Sequence, residues 1–130
     1  MGKTVEELYK AIGTSVFEAL PEKWSLVTVT AKIIWTYSEL EAEYLPAPKA
    51  APMPLAPGFS VLRSFEELRM NMADAQPGKG AWYTAVFSMT PDGKFKIEFD
   101  YEHHPRFDTM PSEEEFQEDL KRFPRKKESH

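Results

Sequence analysis

Apolar and polar residues alternate through residues 82–102 on either side of Thr90-Pro91-Asp92-Gly93-Lys94. Proline with its preset φ, an aspartate that bonds its own backbone and a glycine for a positive-φ position predict a type I turn closed by a glycine bulge. Pairing Thr90 with Lys94 then sets Met89 opposite Phe95, Phe87 opposite Ile97, Ala85 opposite Phe99 and Tyr83 opposite Tyr101 on one face, the core side. The other face carries Trp82, Thr84, Val86 and Ser88 against Glu102, Asp100, Glu98 and Lys96, a mixed acidic and apolar surface. The hairpin is expected at or near the centre of a sheet, with Tyr83, Phe87, Phe95, Ile97 and Phe99 buried.

The same patterning extends along the rest of the chain. Thr4-Val5-Glu6-Glu7 is a capping box, and Val5, Leu8, Tyr9, Ile12, Val16 and Leu20 follow at helical spacing, so a helix is predicted over residues 5–20, stopped near Pro21. Residues 25–33 alternate with Val27, Val29, Ala31 and Ile33 on one side. In residues 38–44, Leu40, Ala42 and Tyr44 point one way and Glu39, Glu41 and Glu43 the other, so three carboxylates line a solvent face. These two strands should form a hairpin around Trp35-Thr36-Tyr37. Residues 45–58 are rich in proline and alanine, lack periodicity and are expected to be a loop. A linker between two domains is the other reading of that stretch, but the flanking segments are each too small to stand alone. Ser64-Phe65-Glu66-Glu67 repeats the capping-box logic and opens a helix to about Ala75, with Phe65, Leu68 and Met72 on one side. Ser112 opens a third helix that turns Phe116 and Leu120 towards the body and is closed by Pro124. Residues 125–130 are expected to fray. The predicted fold is therefore one α+β domain over residues 1–124, a four-stranded antiparallel sheet packed with about three helices in the order α-β-β-α-β-β-α, followed by a basic C-terminal tail at 125–130.

Composition narrows the function classes. A hydrophobic content of 42% and an aromatic content of 13% in 130 residues are those of a single globular domain, and no signal peptide or apolar span of roughly 20 residues is visible, so a soluble cytoplasmic protein is expected. Without cysteine there are no disulfides, thiolate metal sites or cysteine nucleophiles. The net charge of −5 divides unevenly, with −9 over residues 1–120 and +4 over residues 121–130. An acidic body repels phosphate backbones and favours basic partners, so neither a nucleic-acid nor a membrane partner is expected. The basic run from Lys121 to Lys127 is better explained by a helix C-terminus that favours cations. Gly78-Lys79-Gly80 follows a helix and precedes a strand, the reverse of a phosphate-binding loop.

His103 and His104, near Asp108, are the one cluster with metal-ligand chemistry, but adjacent histidines in a strand point to opposite faces and helical motif spacing is absent. No catalytic, metal or cofactor residues are assigned. The carboxylates Glu39, Glu41, Glu43, Glu98, Asp100 and Glu102, with Trp82 as an apolar anchor, are instead the candidate partner-binding residues, because a row of carboxylates speeds association with a basic partner and fixes its register. An ordinary solvated face has the same alternation, and a helix or the proline-rich loop over Trp82 would remove the anchor. Nothing in the pattern fixes an oligomeric state.

A helix ending in Leu20-Pro21-Glu22-Lys23-Trp24, a strand pair, a helix, and then Trp82-Tyr83-Thr84 leading through Asp92-Gly93-Lys94-Phe95 to Phe99-Asp100-Tyr101-Glu102 resembles the YezG-like immunity proteins of bacteria. Phe107-Asp108 and Arg122-Phe123-Pro124-Arg125 resemble a variant of that family's ending. The resemblance implies a small cytosolic antitoxin of a polymorphic toxin system, a non-enzyme that binds a cognate secreted toxin domain. Such toxins are often nucleases, or in related operons NAD-degrading enzymes. The alternatives from other classes are a small metal-dependent hydrolase using His103, His104 and Asp108, and a generic intracellular adaptor.

Overall fold

The computed structural model describes residues 2–125. Its elements are α1 (Val5–Ala19), β1 (Leu26–Ile34), β2 (Tyr37–Leu45), β3 (Met53–Pro54), α2 (Phe59–Ala75), β4 (Thr84–Met89), β5 (Phe95–Asp100) and α3 (Glu113–Arg122). The fold is α+β with three helices and an antiparallel sheet, as expected, but the sheet has five strands rather than four, in the order β3-β2-β1-β4-β5. The additional strand lies in the proline-rich stretch expected to be a loop. Met53 pairs with Tyr44 and Pro54 with Glu43, and the Leu55 N–H donates to the Ala42 carbonyl at 3.0 Å. A two-residue strand at the sheet edge tolerates proline, because its missing donor would face solvent.

The hairpin of β4 and β5 does not occupy the centre. β1 does, paired along its length with β2 on one side and β4 on the other, which leaves β5 at an edge. Its register is the one the turn dictates, from Met89 opposite Phe95 to Thr84 opposite Asp100. The Thr90 N–H donates to the Lys94 carbonyl at 3.0 Å, and Gly93 takes the positive φ of 86°. Before Thr84 the alternation slips by one residue. Trp82 and Ala85, three apart, both point into the main core, while Tyr83 belongs to a second cluster with Ile34 and Phe107. An extra residue in a strand has this effect on the side chains that precede it. The expected pairing of Tyr83 with Tyr101 is therefore lost, and Trp82 is 0% exposed, its ring between those of Phe65 and Phe99. Phe95 stays 45% exposed and Ile97 and Phe99 half-buried, since the edge strand lies at the margin of the helical layer.

The helices α1 and α2 cover one face. Thr4 caps α1 as a capping box, its hydroxyl accepting from the Glu7 N–H and the Glu7 carboxylate from the Thr4 N–H. Leu8, Ile12 and Val16 then pack with Val61, Phe65 and Leu68 of α2 over Val27, Val29, Ala31 and Phe87. Helix α2 begins at Phe59 after Gly58, not at Ser64, so the apparent capping box lies inside it. Val61 continues the buried stripe one turn upstream of Phe65, and burial of an amphipathic face outweighs a local cap signal. In α3 Ser112 is the N-cap as expected, but Asp119 and Phe123 take the inner positions and Leu120 is exposed. No helix among the described residues is long and apolar enough to cross a membrane.

Candidate partner-binding face

The register builds the second face of the sheet row by row. Glu43 lies across from Thr28, which lies across from Ser88 and then Lys96. The next row is Glu41, Thr30, Val86 and Glu98, and the one after it Glu39, Lys32, Thr84 and Asp100. Acidic β2 on one side, and β5 with Lys96 beside Glu98 and Asp100 on the other, thus flank a floor that is small and mostly hydroxylated except at Lys32. With strands about 4.8 Å apart, three spacings separate β2 from β5, and the carboxylate rows stand roughly 14 Å apart. Thr28, Thr30, Val86 and Ser88 keep part of their exposure although they sit on β1 and β4, inside the sheet.

The carboxylates are not equivalent. The Glu39 carboxylate accepts the Asp108 N–H at 2.9 Å. Glu41 pairs with the Lys32 ammonium, which also donates to the Arg106 carbonyl at 2.8 Å. Asp100 accepts the N–H groups of Glu102 at 2.8 Å and His103 at 3.0 Å. These donors, Glu102 first, hold its carboxyl below the usual carboxylate range, with a smaller contribution from the His103 ring. Glu43 and Glu98 are exposed. Two of the predicted residues leave the face: Glu102 sits in the bend after β5, and Trp82 lies in the core on the opposite side. Of the seven residues predicted to bind a partner, the sheet brings five together, Glu39, Glu41, Glu43, Glu98 and Asp100.

One end of this face is covered by the chain itself. After β5 the segment of residues 103–111 crosses back towards β2, and Phe107 buries itself against Ile34, Tyr83 and the edge of the Tyr37 ring. His104 stacks on Phe116 at 4.6 Å and meets the Tyr83 ring edge-on, whereas His103 turns to Asp100 and is mostly exposed. Asp108 is held at the far strand through its N–H to Glu39. The three residues of the hydrolase alternative thus have separate surroundings, and among the described residues no group of three or more His, Asp or Glu side chains could hold a metal ion.

Sequence reasoning missed the groups that fasten this cover. Arg69 of α2 and Asp119 of α3 form a two-bonded pair at 2.6 and 2.9 Å, each side chain 3% exposed. Arg69 Nε also donates to the Trp82 carbonyl at 2.6 Å, and Asp119 accepts the Trp35 N–H at 2.8 Å. Trp35 sits at φ 51° in the two-residue turn between β1 and β2, a left-handed conformation that the bond to α3 helps to hold. The signal was present in the pattern, since both charges fall within apolar helical stripes, Arg69 four residues after Phe65 and Asp119 between Phe116 and Phe123. Arg125, expected in a frayed tail, instead donates to the carbonyls of Ala81 and Tyr101, both at 2.7 Å, and lies 4.5 Å over the Tyr83 ring. Gly80 makes room for it at φ 82°, where a Cβ would come within 2.7 Å of the arginine side chain. The remainder of the expected tail, residues 126–130, lies outside the described residues. A cleft of about 400 Å3 lies beside the ion pair, lined in part by Glu66, Arg69, Met70 and Arg122. Its charged groups are engaged within the chain, Arg69 by Asp119, Arg122 by Asp74 and Glu66 by Ser38.

No protein-family model matches the chain, and no curated protein matches it.

Proposed function

We propose that this chain is an immunity protein, a cytoplasmic antitoxin that binds a cognate toxin domain through the open face of its sheet and occludes the toxin's site. The observation that carries the reading is the gathering of five carboxylates from two non-adjacent strands on one face that α1 and α2 leave uncovered. Toxins that cut nucleic acid or degrade dinucleotides need basic clefts, and an acidic surface about 14 Å across matches such a cleft in charge and in scale. The floor of Thr28, Thr30, Val86 and Ser88 presents little bulk, so a convex basic element can approach between the carboxylate rows. The resemblance to YezG-like proteins supports the same reading, and no reaction is assigned to the chain. Trp82 has no part in this surface.

The test is co-purification and binding kinetics with the product of the neighbouring open reading frame, which this reading requires to be a toxin. Reversing both exposed charges of β2, as E41K/E43K, should slow association about tenfold or more at low salt and flatten its salt dependence. An association rate unchanged by the reversal would place the binding surface elsewhere.

A further inference from the structure

The two edges of the sheet are unlike. β3 is two residues long and carries Pro54, whereas β5 presents six residues at the other edge. In its ladder with β4 the Lys94 carbonyl accepts from Thr90 and the Asp100 carbonyl from Tyr83. The even-numbered residues therefore turn their backbone groups to β4, and by antiparallel alternation Phe95, Ile97 and Phe99 turn theirs outward. No strand meets those groups among the described residues.

We propose that this edge pairs with the same edge of a second copy of the chain, β5 antiparallel to β5 about a twofold axis at Ile97, joining two five-stranded sheets into one. In that register Ile97 meets Ile97, Phe95 meets Phe99 of the second copy, and the outward groups of all three residues bond across the axis. On the open face Lys96 meets Glu98 and Lys94 meets Asp100, each pair occurring twice by symmetry. Charge selects this axis over its neighbours. Centring on Lys96 or Glu98 opposes each to itself, centring on Phe95 opposes Lys94 to Lys96, and centring on Phe99 opposes Glu98 to Asp100. The apolar side agrees. Phe95 is 45% exposed, and beside Phe99 a groove of about 310 Å3, lined by Val5, Met72, Ala75 and Tyr101 with Gln76 and Lys79 at its side, opens where the Phe95 ring of the second copy arrives.

This inference shares Glu98 and Asp100 with the proposed toxin face but does not rest on that reading, because it is argued from the backbone and side chains of β5 alone and its test contains no toxin. Sedimentation of the full chain from about 10 µM to about 1 mM spans the range in which a weak interface is populated. A reversible dimer is expected, with amide exchange at Phe95, Ile97 and Phe99 slowing as concentration rises. K96E sets a carboxylate against Glu98 at both symmetric positions and should weaken dimerisation about tenfold or more, while K96E/E98K restores opposite charges and should recover it to within about threefold. Both positions face uncharged residues within the chain, Ser88 and Val86, so the monomer tolerates the exchange. A chain that stays monomeric at about 1 mM, or a dimer indifferent to K96E, would overturn the proposal.

Discussion

The two faces of the sheet are made by the same strands, yet one is a dry core and the other a polar surface. On β1 the difference is visible residue by residue. Val27, Val29, Ala31 and Ile33 are at most 2% exposed beneath α1 and α2, whereas Thr28, Thr30 and Lys32 on the other side keep part of their exposure. The alternation ends at Ile34, a fully buried apolar side chain on the open side of β1, and there the chain returns to cover it with Phe107, whereas Leu26 at the other end of the same side stays half-buried. Coverage follows apolar content locally: helices lie over the continuous apolar face, a short irregular segment lies over the end at Ile34 and Tyr83, and nothing need cover threonine, serine and carboxylate. That leftover surface is the one available to a partner.

The largest test of this division is Trp82. On the open face its loss would alter binding with little effect on folding, but in the core it must alter folding. Trp82→Ala should cost about 3–5 kcal/mol of stability in denaturant unfolding, the range for truncating a large buried aromatic. A loss below about 1 kcal/mol would return the ring to the surface and restore it as an interface residue.

The ion pair that fastens α3 comes next. Asp119→Ala leaves Arg69 buried without its partner and the Trp35 N–H without an acceptor, and should cost about 3–5 kcal/mol. The double variant R69M/D119L removes both charges and should recover part of that loss, because an apolar pair avoids the desolvation penalty while the Trp35 N–H and the Trp82 carbonyl stay without their partners. Equal losses in the single and double variants would show that the loss comes from packing and from the turn at Trp35 rather than from an unpaired charge.

How much of this was legible follows from which features depend on a regular period. The faces of β1, β2, β4 and β5 and the register of the β4–β5 hairpin follow from alternation and turn chemistry, so Glu39, Glu41, Glu43, Glu98 and Asp100 could be gathered onto one surface from the sequence. The slip at Trp82 and Tyr83 could not, because two adjacent aromatics satisfy either face and a one-residue bulge leaves no compositional trace. The start of α2 was obscured by Ser64-Phe65-Glu66-Glu67, a cap pattern inside a longer apolar stripe. β3 was hidden by prolines that disfavour a strand everywhere except at an edge. Glu102 left the face because Asp100 accepts the next N–H groups and bends the chain, a competition between side chain and ladder that alternation does not register.

Asp100 also gives the smallest and most specific effect, at the border between the open face and its cover. Donation from the Glu102 and His103 N–H groups favours the charged form, so its folded pKa lies below the unfolded value of about 3.9. The stability it adds is therefore complete above about pH 4 and is lost as pH falls through the lowered folded value. Glu7 and Asp92 act in the same direction, lowered first by the Thr4 N–H and by the Thr90 hydroxyl respectively. All three are exposed, and solvent screening keeps each contribution small. D100N retains an oxygen to accept both N–H groups but carries no charge, so it should be slightly less stable than the parent at neutral pH. The two unfolding midpoints should converge as pH drops from about 5 towards 2, because the parent alone loses its carboxylate over that window. A gap that stays constant with pH would show that Asp100 holds the bend by shape alone, and its charge would then belong to the open face rather than to the cover.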